Sequence, residues 1–222
     1  MVPLMATIER YALSTAPVLA DSVRCLLKES GLIALPTESF YGLAVAPFDK
    51  RALDRLWEVK GRSEGKPILL LIGERSQLET LVRSISYAAT VLMNAFWPGP
   101  LTIVFPAAQG LPDAVTAGTG SVGIRLSAWQ PLVDLLRLVG PVTGTSANRQ
   151  GWAPPRTAEE VQHNLGDRLD LIIDAGPTPG GQPSTVIDVR GPIRIVRAGS
   201  VDRGAIAMQL AAHGLHLEAD SR

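Results

Sequence analysis

KRALDRLWEVKGRSEGKPILLLI, residues 50–72, decides the fold, because a helical pattern in it leads directly into a buried strand. Within 50–60 the apolar side chains recur at helical spacing, at positions Leu53, Leu56, Trp57 and Val59. ILLLI at 68–72 is apolar throughout, which is typical of a strand covered on both faces. The stretch therefore predicts a helix followed by a strand.

The same alternation extends along the chain. The patterns predict helices over 17–30, 50–60, 86–96, 130–139, 157–165 and 202–213, and strands over 32–36, 68–72, 101–105, 122–126, 169–174, 184–189 and 193–197. Alternating strands and helices predict an α/β fold, and the adjacent late strands indicate a mixed sheet. We expect one domain over 1–222, with the motifs in about 15–200 and a C-terminal helix at 202–213. The Pro and Gly-rich stretch 175–183 predicts a loop over a site rather than a linker.

Charge and composition exclude several classes of protein. The chain has 21 basic and 21 acidic residues, which argues against a broad electrostatic surface for nucleic acid, so any anion site must be local. No apolar run approaches the roughly 20 residues that span a bilayer, and no secretory signal is visible, so we expect a cytoplasmic protein without membrane insertion. Cys25, the only cysteine, lies among apolar residues and is expected to be a core thiol.

The sequence does not match three common kinds of site. The three histidines form no ligand cluster with Cys and carboxylates, so no zinc site is expected. The pair formed by Gly65 and Lys66 is not a phosphate-binding P-loop, because Pro67 stands where Ser or Thr is required. GTSAN at 144–148 nearly matches a nucleophile elbow, but Asn148 replaces its second glycine.

Cations, hydroxyls and one carboxamide gather near the ends of the predicted strands. Three cations, Lys60, Arg62 and Lys66, precede the strand at 68–72, and two arginines lie near the ends of later strands. A solvated helix end or surface ion pairs would explain each cation taken alone. Together they suit the binding of an anion by charge-assisted hydrogen bonds better than proton transfer. The set favours phosphoryl or nucleotidyl chemistry, which depends on positioning and electrostatic stabilisation.

Seven ordered motifs closely resemble the YrdC family, and the resemblance runs from about Leu32 to Gly199. The motifs are PTESFYGLA (36–44), KGRSEGKP (60–67), WPGPLT (97–102), VGIR (122–125), TSAN (145–148), STVID (184–188) and IVRAG (195–199). The resemblance implies a twisted, open, mixed α/β sheet with helices packed on it and a deep basic cavity. It also implies condensation of L-threonine, bicarbonate and ATP to threonylcarbamoyl-adenylate, with release of pyrophosphate. A downstream transferase complex then modifies the tRNA adenosine beside the anticodon.

The resemblance also implies roles for individual residues. Lys60 and Arg62 would be catalytic, and Arg125 would take the carboxylate of threonine. The residues implied for ATP are Arg62, Lys66, Ser121, Ser146, Asn148, Pro154 and Arg197. Those implied for threonine are Thr37, Ser39, Tyr41, Arg125 and Ser184. No protein metal site is implied, Mg²⁺ is expected to accompany ATP, and the chain is expected to be a monomer or a weak homodimer.

The chain departs from the family pattern at three positions. Ser39 stands where many members have threonine, and Leu71 stands where some longer relatives have histidine. Ser127 replaces a proline, which leaves the aim of the nearby arginine open. A non-catalytic RNA-binding or ribosome-associated module of the same fold is the alternative function. The presence of Ser146 and Asn148 favours the synthase.

Overall fold

A computed structural model describes residues 7–10, 16–61 and 66–219. The strands are β1 Thr7–Arg10, β2 Ile33–Pro36, β3 Tyr41–Ala44, β4 Leu69–Ile72, β5 Leu101–Pro106, β6 Ser121–Leu126, β7 Val142–Ser146, β8 Leu171–Asp174, β9 Thr185–Asp188 and β10 Arg194–Arg197. The α-helices are α1 Ala16–Lys28, α2 Lys50–Lys60, α3 Tyr87–Phe96, α4 Asp113–Thr116, α5 Gln130–Val139, α6 Ala158–Leu165 and α7 Arg203–Ala211. The strands form one mixed sheet in the order β1-β8-β2-β3-β7-β4-β6-β5-β9-β10. The predicted α/β class is confirmed.

Helix α2 begins and ends where its sequence pattern predicts. The side chain of Asp49 accepts a hydrogen bond from the backbone N–H of Ala52 and so caps the first turn. Gly61 ends the helix with φ of 62°, a left-handed conformation that glycine adopts without steric cost. These two caps place Lys60 at the last helical position, next to the sheet.

β1 and β3 were absent from the predicted strands, and β7 was expected only as a strand that ends in GTSAN, without bounds. The glycine and hydroxyl residues of β3 and β7 weaken the apolar pattern by which strands are recognised. In the fold these two strands pair in antiparallel fashion, with Gly42 opposite Ser146. β7 also pairs with β4, so it joins the two halves of the sheet and ends at the TSAN motif.

Helices cover the two faces of the sheet unequally. The larger core lies under α2, α3, α4, α6 and α7, whereas α1 and α5 pack together on the other face. On α1 the buried residues Leu19, Val23 and Leu27 are spaced by four and face the sheet. Cys25 lies on the opposite side of this helix and is exposed, so the prediction of a core thiol is wrong.

Part of the sheet stays uncovered by α1 and α5. Leu69, Gly123 and Gly144 belong to the central strands β4, β6 and β7, yet each is half-buried rather than buried. A Cβ added to Gly144 would lie 2.8 Å from side-chain atoms of Leu69 and Leu71, so this surface is lined closely by leucines and glycines. Arg125 lies two residues after Gly123 in β6 and Ser146 two residues after Gly144 in β7, so both share the face of these glycines. Among the described residues, no helix has the length and apolar character needed to cross a bilayer.

Candidate active site

Lys60 is a buried cation that holds the loop after β7. Its side chain leaves the end of α2, and the residue is only 3% exposed. Nζ donates hydrogen bonds of 2.6 Å to the carbonyl oxygens of both Ser146 and Asn148. Lys60 therefore fixes the backbone of the TSAN motif, and its predicted contact with a phosphate or carbamoyl group stays a prediction.

The TSAN motif presents polar atoms from the end of β7. Asn148 Nδ2 donates to the carbonyl oxygens of Arg149 at 3.0 Å and Trp152 at 2.6 Å, which fixes the carboxamide. Its Oδ1 is buried and has no hydrogen-bond partner among the described residues. Ser146 is exposed. The loop thus offers a hydroxyl and an unpaired carbonyl acceptor to a ligand.

The turn between β2 and β3 orders the two hydroxyls of PTESFYGLA. Thr37 Oγ1 donates to the Phe40 carbonyl oxygen at 2.8 Å and accepts from the Ser39 backbone N–H at 3.3 Å. The two hydroxyl oxygens lie 3.4 Å apart. Because Thr37 is buried and Ser39 half-buried, the local hydrogen bonds set the direction of both side chains.

Arg125 and Arg197 lie near the ends of β6 and β10. The group of residues Arg125, Arg197, Ser184 and Thr102 is called here the arginine cluster. The Arg197 guanidinium donates to the Ser184 carbonyl oxygen at 2.8 Å and to its Oγ at 3.2 Å, and Ser184 Oγ lies 2.9 Å from Thr102 Oγ1. The pKa of Arg197 is lowered, first by desolvation and then by the positive charge of Arg125. The positive charges of the two arginines favour an anionic ligand beside them.

Arg125 itself is buried beside a carboxylate. Burial lowers its pKa, and the negative charge of Glu38, whose Oε2 lies 3.5 Å away, opposes that shift. Ser127 Oγ donates to the same Oε2 at 2.7 Å. The serine that replaces the proline of the family pattern therefore holds the carboxylate of Glu38, the partner of Arg125. Glu38 was not singled out from the sequence, because the search there was for cations and hydroxyls. Its position inside PTESFYGLA was the available signal.

The loop at 175–183 is tied to the site by hydrogen bonds. The Thr178 backbone N–H donates to the Arg156 carbonyl oxygen at 2.8 Å, and the Arg156 guanidinium donates to the Thr178 and Pro179 carbonyl oxygens. The Gly180 N–H donates to the Ser39 carbonyl oxygen at 2.8 Å. The loop therefore contacts the turn between β2 and β3, its predicted role over a site stays a prediction, and Arg156 is an anchor that the sequence did not reveal.

The hydrogen bond of Tyr41 tests how the loop at 175–183 is held to β3. Its hydroxyl donates to the Gly176 carbonyl oxygen at 2.9 Å, and desolvation by burial is the main cause that raises its pKa to about 12. The phenol of the unfolded chain has a pKa near 10, below that of the folded chain. The contribution of Tyr41 to the free energy of unfolding is therefore constant below pH 10 and falls by about 2–3 kcal/mol as the pH rises toward 12. Tyr41→Phe is expected to cost about 1 kcal/mol at pH 8 and to lack this loss at high pH. Urea unfolding of the wild-type protein and of Tyr41→Phe at pH 8 and 11.5 measures this difference. An equal loss of unfolding free energy in both proteins would contradict the prediction.

Gly199, which ends the IVRAG motif, allows a close backbone approach at the arginine cluster. A Cβ here would lie 2.3 Å from the Pro183 carbonyl oxygen and 2.5 Å from the Ser184 carbonyl carbon. Gly199→Ala must push Ser184 away, so we expect a loss of about 1–3 kcal/mol in unfolding free energy. Gly191→Ala is the matched control, because its Cβ would meet nothing within 4 Å. Equal denaturation midpoints for both variants would disprove the expectation.

The remaining predicted residues are placed as follows. Arg62 lies outside the described residues. Lys66 is exposed and Pro154 is half-buried. Ser121 begins β6, four residues before Arg125 and thus about 13 Å along the strand, and its Oγ is paired with Thr119 Oγ1 at 2.8 Å. The described residues contain no group of three or more His, Cys, Asp or Glu side chains arranged to hold a metal ion.

Comparisons with known proteins bear on this arrangement. A curated threonylcarbamoyl-AMP synthase of Pyrococcus abyssi is 37% identical over 164 residues, which is 73% of this chain and 48% of the relative. A putative threonylcarbamoyl-AMP synthase of Mycobacterium tuberculosis is 36% identical over 182 residues, 82% of this chain and 84% of the relative. This chain therefore spans about half the length of the first relative and most of the second.

Solved structures share the fold. The structure of P. abyssi Sua5 complexed with L-threonine superposes with a TM-score of 0.83 at 31% identity, covering 96% of this chain and 62% of that one. E. coli YciO superposes with a TM-score of 0.80 at 25% identity, covering 91% of this chain and all of that one. A family model for Sua5, YciO and YrdC proteins, described as "Telomere recombination", matches residues 25–199. With its motifs in order along a shared fold, the chain belongs to the Sua5/YciO/YrdC family.

Proposed function

We propose that this chain is an L-threonylcarbamoyladenylate synthase, a nucleotidyltransferase that condenses L-threonine, bicarbonate and ATP and releases pyrophosphate. The observation that carries the proposal is the arginine cluster, in which Arg197 donates to the Ser184 carbonyl oxygen, Ser184 Oγ lies 2.9 Å from Thr102 Oγ1, and Arg125 is buried. The two arginines favour an anionic ligand, and the hydroxyls beside them suit an amino acid. The synthase names of the relatives and the L-threonine in the P. abyssi structure support the proposal.

The threonine side of the site centres on Arg125. Its guanidinium would take the substrate carboxylate in a two-pronged pair. The hydroxyls of Thr37, Ser39 and Ser184 would surround the rest of the amino acid, and Tyr41 would hold the neighbouring loop through its bond to the Gly176 carbonyl oxygen.

The nucleotide side would use the TSAN motif. The unpaired Oδ1 of Asn148 would accept a hydrogen bond from the nucleoside, and Lys60 would keep that loop in place. The phosphates of ATP would lie near the cations Arg62, Lys66 and Arg197. The residues proposed for ATP are Arg62, Lys66, Ser121, Ser146, Asn148, Pro154 and Arg197.

The reaction needs no covalent bond to the protein. The amine of threonine and bicarbonate give a carbamate and water, and a carbamate oxygen then attacks the α-phosphorus of ATP while pyrophosphate leaves. The protein supplies positioning and positive charge, and Mg²⁺ would arrive with ATP. The product would serve a transferase complex that modifies the tRNA adenosine beside the anticodon. We also propose that the chain acts in the cytoplasm, as a monomer or weak homodimer.

Mass spectrometry tests the proposal directly. Incubation with ATP, bicarbonate and L-threonine is expected to yield threonylcarbamoyl-adenylate, and omission of either threonine or bicarbonate is expected to abolish pyrophosphate release. Release that persists without threonine would overturn the proposal. If no adenylate forms and filter binding to tRNA falls steeply with salt, the chain is instead an RNA-binding module.

A further inference from the structure

The ion pair between Arg125 and Glu38 is longer than a charge-assisted hydrogen bond. The guanidinium NH2 and the carboxylate Oε2 are 3.5 Å apart, whereas charge-assisted hydrogen bonds between such groups are usually about 2.7–2.9 Å long. Two further atoms of the pair, Arg125 Nε and Glu38 Oε1, are buried and have no hydrogen-bond partner among the described residues. Native structures rarely leave such atoms unpaired, so this pair of orphan atoms requires an explanation.

Ser127 prevents the carboxylate from closing the gap by rotation. Its Oγ donates to Glu38 Oε2 at 2.7 Å and accepts from the Trp129 backbone N–H at 3.1 Å, and the residue is fully buried. One carboxylate oxygen is thus tied to the start of α5. The other oxygen, Oε1, is held in place as an acceptor that carries negative charge.

The orphan atoms define the chemistry of a ligand. Nε is a cationic donor and Oε1 is an anionic acceptor, and they belong to two groups that face each other. A phosphate or a dicarboxylate would satisfy Nε but would be repelled by Glu38. A simple amine would satisfy only Oε1. The head group of a free α-amino acid carries a carboxylate and an ammonium one carbon apart, so it satisfies both.

We propose that Glu38 is a specificity-determining residue whose Oε1 accepts a hydrogen bond from the α-ammonium of the amino-acid substrate. Arg125 takes the carboxylate of the same molecule. The inference rests on the proposed function, which supplies L-threonine as that amino acid. Glu38 therefore selects substrates that carry a free α-amino group, the group that becomes the carbamate.

Isothermal titration with two ligands tests this assignment. L-Threonine and 3-hydroxybutyrate differ only in the α-amino group. The wild-type protein is expected to prefer L-threonine by about 100-fold, the upper range for one buried hydrogen bond between charged groups. Glu38→Gln keeps the size but not the charge, and its preference is expected to fall below about 5-fold. Glu79→Gln, the control, removes the charge of an exposed carboxylate, and both affinities and the preference are expected to stay at the wild-type values.

The outcomes separate the inference from the proposed function. If the wild-type protein makes threonylcarbamoyl-adenylate and Glu38→Gln keeps the full preference, the inference alone is overturned. If the wild-type protein neither binds L-threonine nor makes the adenylate, the proposed function is overturned as well. Should Glu38→Gln fail to fold, a crystal structure of the wild-type complex decides. A threonine nitrogen within about 3.2 Å of Oε1 supports the inference, and one that contacts only other groups overturns it.

Discussion

Lys60→Met is expected to lower kcat/KM for pyrophosphate release by at least about 100-fold and the unfolding free energy by about 3 kcal/mol. The substitution removes the ammonium that accounts for two hydrogen bonds of 2.6 Å, so the carbonyl oxygens of Ser146 and Asn148 lose a charged donor. Unpaired buried acceptors cost about 1–3 kcal/mol each. The TSAN motif would then shift, and a displacement of about 1 Å at a reacting centre can cost 100-fold in rate.

The control for Lys60 is Lys28→Met, at the exposed end of α1. It removes the same charge and adds the same side chain, but its unfolding free energy should stay within about 0.5 kcal/mol of wild type. Coupled pyrophosphate assays and urea unfolding compare the two variants. A Lys60→Met protein with wild-type rates would show that the buried ammonium neither positions the loop nor contacts substrate.

Arg125→Met is expected to raise KM for threonine by at least about 100-fold while changing KM for ATP much less. Truncating one partner of a buried charge pair typically costs about 2–5 kcal/mol in binding. The variant also leaves the Glu38 carboxylate next to an apolar side chain, so some loss of stability is expected. Steady-state kinetics with each substrate varied in turn measures the split between the two KM values.

Arg137→Met provides the comparison for Arg125. Its guanidinium pairs with Asp134 on the surface of α5 and its side chain is 50% exposed, so the change should be close to neutral. If Arg125→Met raised KM for ATP and left KM for threonine unchanged, Arg125 would belong to the nucleotide side of the site instead.

Local patterns sufficed for most helices but not for the strands that build the site. Helix α2 was predicted from apolar spacing because its core face repeats within one short segment. The stretch that contains β3 carries Gly42 beside hydroxyl residues and resembles a turn, whereas β7 carries Gly144 and hydroxyls, so only its end at GTSAN was expected. β7 pairs with β3 and β4, both of which lie far from it along the chain, and no local pattern encodes that pairing.

The candidate site was partly visible in the sequence. The hydroxyls and cations at strand ends, such as Ser184 and Arg197, were found because their chemistry suits an anion. The contacts that position them were not, because the partners lie far apart in the chain. Lys60 meets carbonyl oxygens 86 and 88 residues away, and Ser127 meets Glu38 89 residues away. The exposure of Cys25 was also not predicted, because its apolar neighbours in sequence lie on the other side of α1.

The position of β7 between β3 and β4 determines the order in which a newly made chain can assemble. The β2–β3 hairpin leaves the ribosome early, yet its neighbour β7 follows about 100 residues later, a delay of about 5–20 s at ordinary translation rates. During that interval the outer edge of β3 lacks its final neighbour. We expect nascent chains that end before residue 142 to depend on chaperones, and ribosome-bound chains that include β7 to acquire protease resistance.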